Sequence, residues 1–242
     1  MIRTLTTAAT IALSVQICSL PAIAGNVSDL EILGFSADAS VFAFEEHGIQ
    51  DGSGFPYANR FYIDVATDGF VAGTPIRVTI EDENAPLDQA RAQARAAGQA
   101  IVPDADLAES RGHTAGFNAI TELSADPHRM AVNPRPVIPP IDEAVEFRIE
   151  EYTLEATGCE NLGPTMGFRL FRIDLTVGGS VSLLHEDTRI PSSRGCPLGY
   201  RIGAVQTIHP RSAEPSFAVL IAVRSFGFEG PDYRWIAVAG RL

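Results

Sequence analysis

Short apolar segments separated by turn residues are the feature that most limits the fold of this sequence. Leu30–Phe35 and Val41–Phe44 are too short for a typical globular helix, and the second is wholly apolar, as expected of a strand buried on both faces. Arg60–Val65 and Ile76–Ile80 follow, with Asp-Gly and Gly-Thr-Pro turns between them. This part of the chain therefore predicts a four-stranded antiparallel meander.

The second half of the chain has the same character. Val145–Leu154 and Phe168–Val177 alternate apolar and polar residues, which is the period of a half-buried strand. Four further strands are predicted, at Val181–Leu184, Tyr200–Ile208, Phe217–Val223 and Arg234–Val238. We expect a mainly β protein built of antiparallel meanders.

A helical insertion is predicted around residues 86–123. Pro86–Ala100 is rich in Ala, Gln and Arg and has no β-branched residue, which favours a helix. A second helix is expected within Asp104–Leu123. The prolines of residues 133–140 then predict a stiff, extended connector.

Two architectures are compatible with this order of elements. A strand–loop–strand unit follows His47-Gly48, and a similar one follows Phe226-Gly227, as in the repeated blades of a small propeller. A β-sandwich with a helical insertion fits equally well, and two hairpins can also be alike by chance. In either case we expect residues 25–242 to form a single β-rich domain.

The N-terminus has the pattern of a cleaved signal peptide, residues 1–24. Arg3 precedes an apolar stretch from Ala8 to Leu20, and Ala22-Ile23-Ala24 matches the small-x-small pattern of a cleavage site. The sequence predicts cleavage near Ala24 and a periplasmic or secreted product. An uncleaved anchor and a lipid anchor at Cys18 are the alternatives, and no later run is long and apolar enough to span a membrane.

Removal of the signal peptide leaves two cysteines, Cys159 and Cys196. In an oxidising compartment an isolated pair usually forms a disulfide, which would stabilise the fold by about 3–4 kcal/mol. The alternative is a reactive thiol at Cys196 assisted by a histidine.

Charge and composition narrow the classes of partner and mechanism. The net charge of −12, with no basic cluster to offset it, disfavours nucleic acid and anionic lipid as partners. Every basic residue is arginine, so mechanisms that need a lysine are excluded, including Ser–Lys dyads, Schiff bases and the P-loop. No cofactor motif is present, and we expect an unidentified envelope ligand or protein as the partner.

The segment 45–59 is the best candidate for a binding site. It is predicted to be a long Gly-rich loop, and such loops often carry function. Its candidate binding residues are Glu45, Glu46, Asp51, Phe55 and Tyr57. The alternative is a wide turn whose aromatic side chains fold back onto the core.

Catalytic and metal motifs are weak throughout. Ser53 lies in Gly-Ser-Gly and not in the Gly-x-Ser-x-Gly elbow of a hydrolase nucleophile. The five histidines are scattered without the spacing of a zinc site, and the regular spacing of a calcium loop is missing, so no metal site is predicted.

Several short segments together resemble a known family. They are Phe42–Glu46, Gln50–Ala58, Thr74–Val78, Ser193–Pro197 and Gly227–Pro231. The combination resembles the bacterial "predicted secreted proteins", a domain of unknown function, and the resemblance spans most of the chain. It implies export from a bacterial cell and no particular activity.

These observations favour a non-enzymatic binding or interaction module. A hydrolase whose carboxylates converge only in the folded chain is the alternative. A structural protein of the cell envelope is a third hypothesis.

Overall fold

The structure is a computed structural model that describes residues 25–227 and 230–242. The predicted signal peptide, residues 1–24, and its cleavage after Ala24 lie outside the described residues. The structure confirms a mainly β chain with antiparallel sheets and a short helical insertion.

Five strands form the first sheet, sheet I. They are β1 (Asp29–Phe35), β2 (Val41–Ile49), β3 (Pro56–Asp64), β4 (Gly69–Phe70) and β5 (Ile76–Thr79). The first three pair as an antiparallel meander, and β3 then pairs with both β4 and β5. The predicted meander is therefore confirmed, and its strands β2 and β3 are longer than expected.

The insertion follows sheet I. It consists of α1 (Leu87–Gly98) and α2 (Asp104–Glu109). The chain continues through two short strands, β6 (His113–Phe117) and β7 (Arg129–Val132).

The remaining strands build two further sheets. They are β8 (Val145–Thr153), β9 (Met166–Asp174), β10 (Val181–Glu186), β11 (Pro197–Ile208), β12 (Ser216–Ser225) and β13 (Asp232–Arg241). Sheet II has the strand order β10-β9-β8-β7, and sheet III has the order β13-β12-β11-β6. A 3₁₀ turn at Ser192–Arg194 connects sheet II to sheet III.

The helical insertion ends earlier than expected. The segment that was expected to hold a second helix up to Leu123 contains strand β6, which pairs antiparallel with β11. Gly112, at a φ of 76°, reverses the chain between α2 and β6. Hydrogen bonds to the edge of sheet III outweigh the helix preference of this segment. Such long-range bonds cannot be predicted from the local sequence.

Sheet III is the middle layer of three. Along β12, Phe217 and Val219 pack against sheet II, whereas Ala218 and Leu220 pack against sheet I. Both faces of the strand are thus buried, in agreement with its continuous apolar sequence. Of the two expected architectures, this stacking is that of a sandwich.

The outer face of sheet I is covered by the insertion. Helix α1 buries Ala90, Ala94 and Gly98 against it. A Cβ atom at Gly98 would lie 2.2 Å from the hydroxyl of Tyr62, so only glycine allows the helix to approach this closely. The outer face of sheet II, in contrast, presents exposed side chains such as Leu183.

The proline-rich segment 133–140 joins β7 to β8 and has neither helix nor strand. Because β7 and β8 are antiparallel neighbours in sheet II, this segment is a connection within one sheet. Among the described residues, no helix has the length and apolar character needed to cross a membrane.

Candidate functional site

The outer edge of β13 is the most unusual feature of sheet III. The backbone N–H of Trp235 donates to Oε2 of Glu46 at 2.8 Å, and that of Ala239 donates to Oδ1 of Asp68 at 2.8 Å. Two carboxylates from sheet I therefore cap an exposed sheet edge. Asp68 reaches this position from a tight turn in which its φ is 50°, a conformation that Asp tolerates better than most residues.

Ala237 lies between these two capped positions. Alternate residues of a strand direct their backbone groups to the same side, so the N–H and C=O of Ala237 also point away from β12. Neither group has a hydrogen-bond partner within residues 25–227 and 230–242. Ala237 is half-buried, and its open backbone groups face a cavity.

This cavity, the edge cleft, has a volume of about 370 Å³. β13 forms its floor, sheet I forms one wall, and sheet II with the 3₁₀ turn forms the other. Its aromatic lining consists of Phe44, Phe61, Phe70, Phe168 and Trp235. The volume and the mixture of aromatic with a few polar groups are those of a ligand site.

A polar row crosses the sheet I wall. Glu46 pairs with Asn59 across β2 and β3, and Asn59 pairs with Arg77 across β3 and β5. Directly paired residues share a face of a sheet, so the three side chains lie side by side. Asn59 donates to Oε1 of Glu46 at 3.0 Å, and the Arg77 guanidinium lies 5.6 Å from the centre of the Phe61 ring.

Arg234 faces the cleft from β13. Its guanidinium lies 5.0 Å from the centre of the Tyr57 ring and donates to the carbonyl of Asn26 at 3.0 Å. The Tyr57 hydroxyl is hydrogen-bonded to Ser28, and burial raises the pKa of Tyr57. Within the described ranges, no carboxylate lies within 4 Å of Arg234 or Arg77, so these two are the cleft's uncompensated cations.

An alternating chain of charges closes the other end of the cleft. His185 Nε2 lies 3.1 Å from Oδ1 of Asp187, and its Nδ1 lies 3.7 Å from Oδ2 of Asp68. Arg194 donates to Oδ2 of Asp187 at 2.5 Å. The chain joins the β3–β4 turn of sheet I to sheet II and to the 3₁₀ turn.

His185 is a cation at neutral pH. Burial alone would lower its pKa, but Asp187 and Asp68 outweigh that effect and raise the pKa to about 9. The ring stacks on Phe168 at 4.7 Å between ring centres. Two carboxylates and two cations thus balance one another in this chain, and it adds no net charge to the cleft.

The predicted disulfide is confirmed. Cys159 and Cys196 are bonded, so the alternative of a free thiol at Cys196 does not apply to this structure. The bond holds the segment that follows the 3₁₀ turn, and that turn presents Ser193 and Arg194 to the cleft.

The segment 45–59 is mainly strand. Its loop spans only residues 50–55, between β2 and β3. Glu45 and Glu46 are therefore successive strand residues that point to opposite faces. Glu46 lines the edge cleft, whereas Glu45 is fully buried under α1 and accepts hydrogen bonds from Arg60 at 2.7 Å and Arg91 at 2.6 Å.

The other candidate residues are dispersed. Asp51 is exposed in the hairpin loop, and Phe55 is half-buried at its end; neither lines the cleft. Tyr57 is buried and reaches the cleft only through Arg234. Of the five candidates, Glu46 lines the cleft, Tyr57 lies beside it in contact with Arg234, and Glu45, Asp51 and Phe55 lie elsewhere.

Several cleft residues were not anticipated from the sequence. They are Asp68, Arg77, His185, Arg194 and Arg234. Arg77 and Arg234 had a weak indication, because each is a lone cation beside apolar residues in a predicted strand. Their convergence depends on the packing of three sheets, which no local pattern encodes.

A second cavity, of about 700 Å³, lies beside α2 and the end of β11. It is more open to solvent than the edge cleft, and no Phe, Tyr or Trp side chain lines it. Across the part of the chain that the structure describes, no three His, Cys, Asp or Glu side chains cluster as metal ligands would.

The fold and the cleft define a three-layer, disulfide-bonded β-sandwich with a cavity at the open edge of its middle sheet. The chain belongs to the family described as "Predicted secreted protein (DUF2259)", whose model matches residues 43–241. The matched region includes every residue that lines the cleft. No curated protein and no solved structure matches the chain significantly.

Proposed function

We propose that this chain is an exported, non-enzymatic binding protein whose ligand occupies the edge cleft. Cleavage near Ala24 would release it into the periplasm or the medium, where the partner is an envelope ligand or protein. The observation that carries the proposal is the open backbone of Ala237 inside an aromatic cavity with two uncompensated arginines, Arg77 and Arg234.

The bonding of the cleft carboxylates favours binding over hydrolysis. Both oxygens of Glu46 already accept hydrogen bonds, from Asn59 and from the backbone of Trp235. Asp68 likewise accepts from Ala239. A general acid or base needs a carboxyl group that can exchange protons with a substrate, and these two groups are committed to holding β13.

A hydrolase remains the second candidate because Glu46 and Asp68 both line the cleft. Turnover of ester, glycoside or phosphoester substrates by the purified protein, stopped by Glu46→Gln, would establish it. If neither the wild type nor Glu46→Gln turns over any of these substrates, binding is the better account.

Trp235 provides a direct assay of the proposed function. It is the single tryptophan of the chain and it lines the cleft, so its fluorescence reports on occupancy. We expect peptides, sugars or peptidoglycan fragments that bind to change this fluorescence and to raise the melting temperature, because they bind only the folded state.

Two exposed phenylalanines give a matched pair of variants. Phe70 is 57% exposed at the rim of the cleft, and Phe117 is 65% exposed on β6, outside the cleft. We expect Phe70→Ala to weaken binding by roughly tenfold, since it removes an aromatic contact, and Phe117→Ala to leave it unchanged. Equal effects of the two variants would locate the ligand elsewhere.

A further inference from the structure

We infer that the occupant of the edge cleft is a short peptide with a carboxylate group, bound in extended conformation as an added strand beside β13. This inference rests on the proposed function and names the class of ligand. On the edge of β13, the free N–H and C=O of Ala237 form one complete hydrogen-bonding unit. An extended peptide supplies the matching unit.

The chain itself already uses this edge for strand pairing. Residues 26–28 run beside the start of β13, where Tyr233 donates to the carbonyl of Asn26 at 2.9 Å and Ser28 donates to the carbonyl of Tyr233 at 3.1 Å. The edge therefore has the twist and access that an added strand requires. Beyond Tyr233 the N-terminal segment departs, and the cleft opens.

The space beside Ala237 suits an extended chain. A strand added to sheet III lies about 4.8 Å from β13 and stays in the plane of the middle layer, with the outer sheets about 10 Å away on either side. Successive side chains of such a strand point alternately to the two walls, toward Phe61 on sheet I and Phe168 on sheet II.

The caps on either side limit the length of the peptide. Glu46 caps the N–H of Trp235 and Asp68 caps that of Ala239, so between these two caps Ala237 is the single residue whose outward N–H is open. One residue of the ligand pairs with it, and its two neighbours fill the rest of the cleft. A cavity of about 370 Å³ agrees with a peptide of this size.

The charge of the cleft favours an anionic ligand, because two arginines at the Trp235 end outnumber the one carboxylate there, Glu46. Arg77 and Arg234 lie at the Trp235 end, and among the described residues neither has a carboxylate within 4 Å. The charges at the opposite end, from Asp68 to Arg194, are paired with one another. A peptide antiparallel to β13 places its C-terminal carboxylate at the Trp235 end, within reach of these arginines.

Peptide probes test the inference on the unaltered protein. A library of N-acetylated tripeptides with free C-termini is titrated while Trp235 fluorescence is recorded. Each peptide that binds is compared with its C-terminal amide and with a form N-methylated at the central residue. We expect the amide to bind roughly tenfold more weakly, and the methylated form to lose binding because it cannot pair with Ala237. An amidated peptide with a Glu side chain distinguishes a side-chain carboxylate from a terminal one.

Hydrogen exchange supplies a readout specific to strand addition. We expect exchange of the Ala237 amide to slow on the order of tenfold at saturating peptide, because the amide becomes hydrogen-bonded. Arg77→Gln and Arg234→Gln should each weaken peptide binding roughly tenfold. Arg211→Gln, at an exposed position outside the cleft, is the control and should have no effect.

The outcomes separate the two proposals. If sugars or other non-peptide ligands change Trp235 fluorescence but tripeptides do not, the cleft binds ligands and the peptide inference is wrong. Peptides that bind equally well as amides, or that leave Ala237 exchange unchanged, also overturn it. If no ligand of any class perturbs Trp235, the binding function itself fails.

Discussion

Glu45 and Glu46 are neighbours in the chain with separate surroundings in the fold. One step along β2 turns the side chain to the opposite face of sheet I, so Glu45 meets the arginines of the helical side and Glu46 meets the edge of β13. At the residue scale, the face of a strand decides which of two identical side chains reaches the cleft. The alternation was predictable only once this segment was known to be strand.

His185 gives the fold a specific pH dependence. Its pKa of about 9 in the folded state exceeds the ordinary value of 6.5, so its contribution to stability is complete below about pH 6.5 and disappears as the pH rises through about 9. We expect the wild type to have a larger free energy of unfolding than His185→Gln, and the difference to be about 2 kcal/mol greater at pH 6 than at pH 10. Urea unfolding of both proteins at the two pH values measures this difference.

The control for this prediction is His209→Gln. Burial and the nearby Arg135 lower the pKa of His209, so its charged form is disfavoured in the folded state. The wild type should therefore gain stability relative to His209→Gln as the pH rises toward about 6.5, which is the opposite direction. The same pH slope in both variants would contradict the role assigned to the Asp68–His185–Asp187 contacts.

At the scale of elements, buried charge connects helix α1 to sheet I. Glu45 is fully buried between Arg60 and Arg91, and Arg60 also donates to Asp104 at the start of α2. Arg91 extends from α1 to the exposed carboxylate of Glu31. The insertion is thus held to the sheet by ion pairs as well as by its small apolar face.

Glu45→Gln tests this connection. We expect a loss of about 2 kcal/mol in the free energy of unfolding, because the buried Arg60 and its neighbour Arg91 each lose one of their two carboxylate partners. Glu31→Gln is matched to it, since it removes the exposed partner of the same Arg91, and it should cost less than about 1 kcal/mol. Similar losses in both variants would show that burial of Glu45 does not increase the contribution of its ion pairs to the free energy of unfolding.

The disulfide acts on another element, the 3₁₀ turn that borders the cleft. The bond closes a loop with a sequence separation of 37 residues, and the double variant Cys159→Ser, Cys196→Ser should lose about 3–4 kcal/mol of stability. Urea unfolding of the oxidised protein and of the variant measures this difference. An unchanged unfolding midpoint would indicate that packing alone holds the turn.

At the scale of the whole molecule, the three-layer stack creates the site. Sheet III ends at β13, while sheets I and II extend past it, and the space between them becomes the edge cleft. A two-layer sandwich would leave this edge open to solvent on one side. The same stacking hides both faces of β12, which explains its uninterrupted apolar sequence.

Most of the strands, helix α1 and the disulfide could be predicted from the sequence. Short apolar runs and period-two patterns located these strands, an Ala-rich segment located α1, and two cysteines in a chain predicted to be exported indicated their pairing. These are local or compositional properties, so they can be read without a fold. Strands β4, β6 and β7 were missed. Strand β6 forms because its pairing with β11, distant in the chain, overrides its local preference.

The position of the site depends on tertiary packing. Asp68, His185 and Arg234 are far apart in sequence, and each is unremarkable in its own segment. They meet because three sheets stack in one order and leave one edge uncovered. Packing between layers is set by the shapes and burial of many side chains at once, and therefore no single motif contains the cleft.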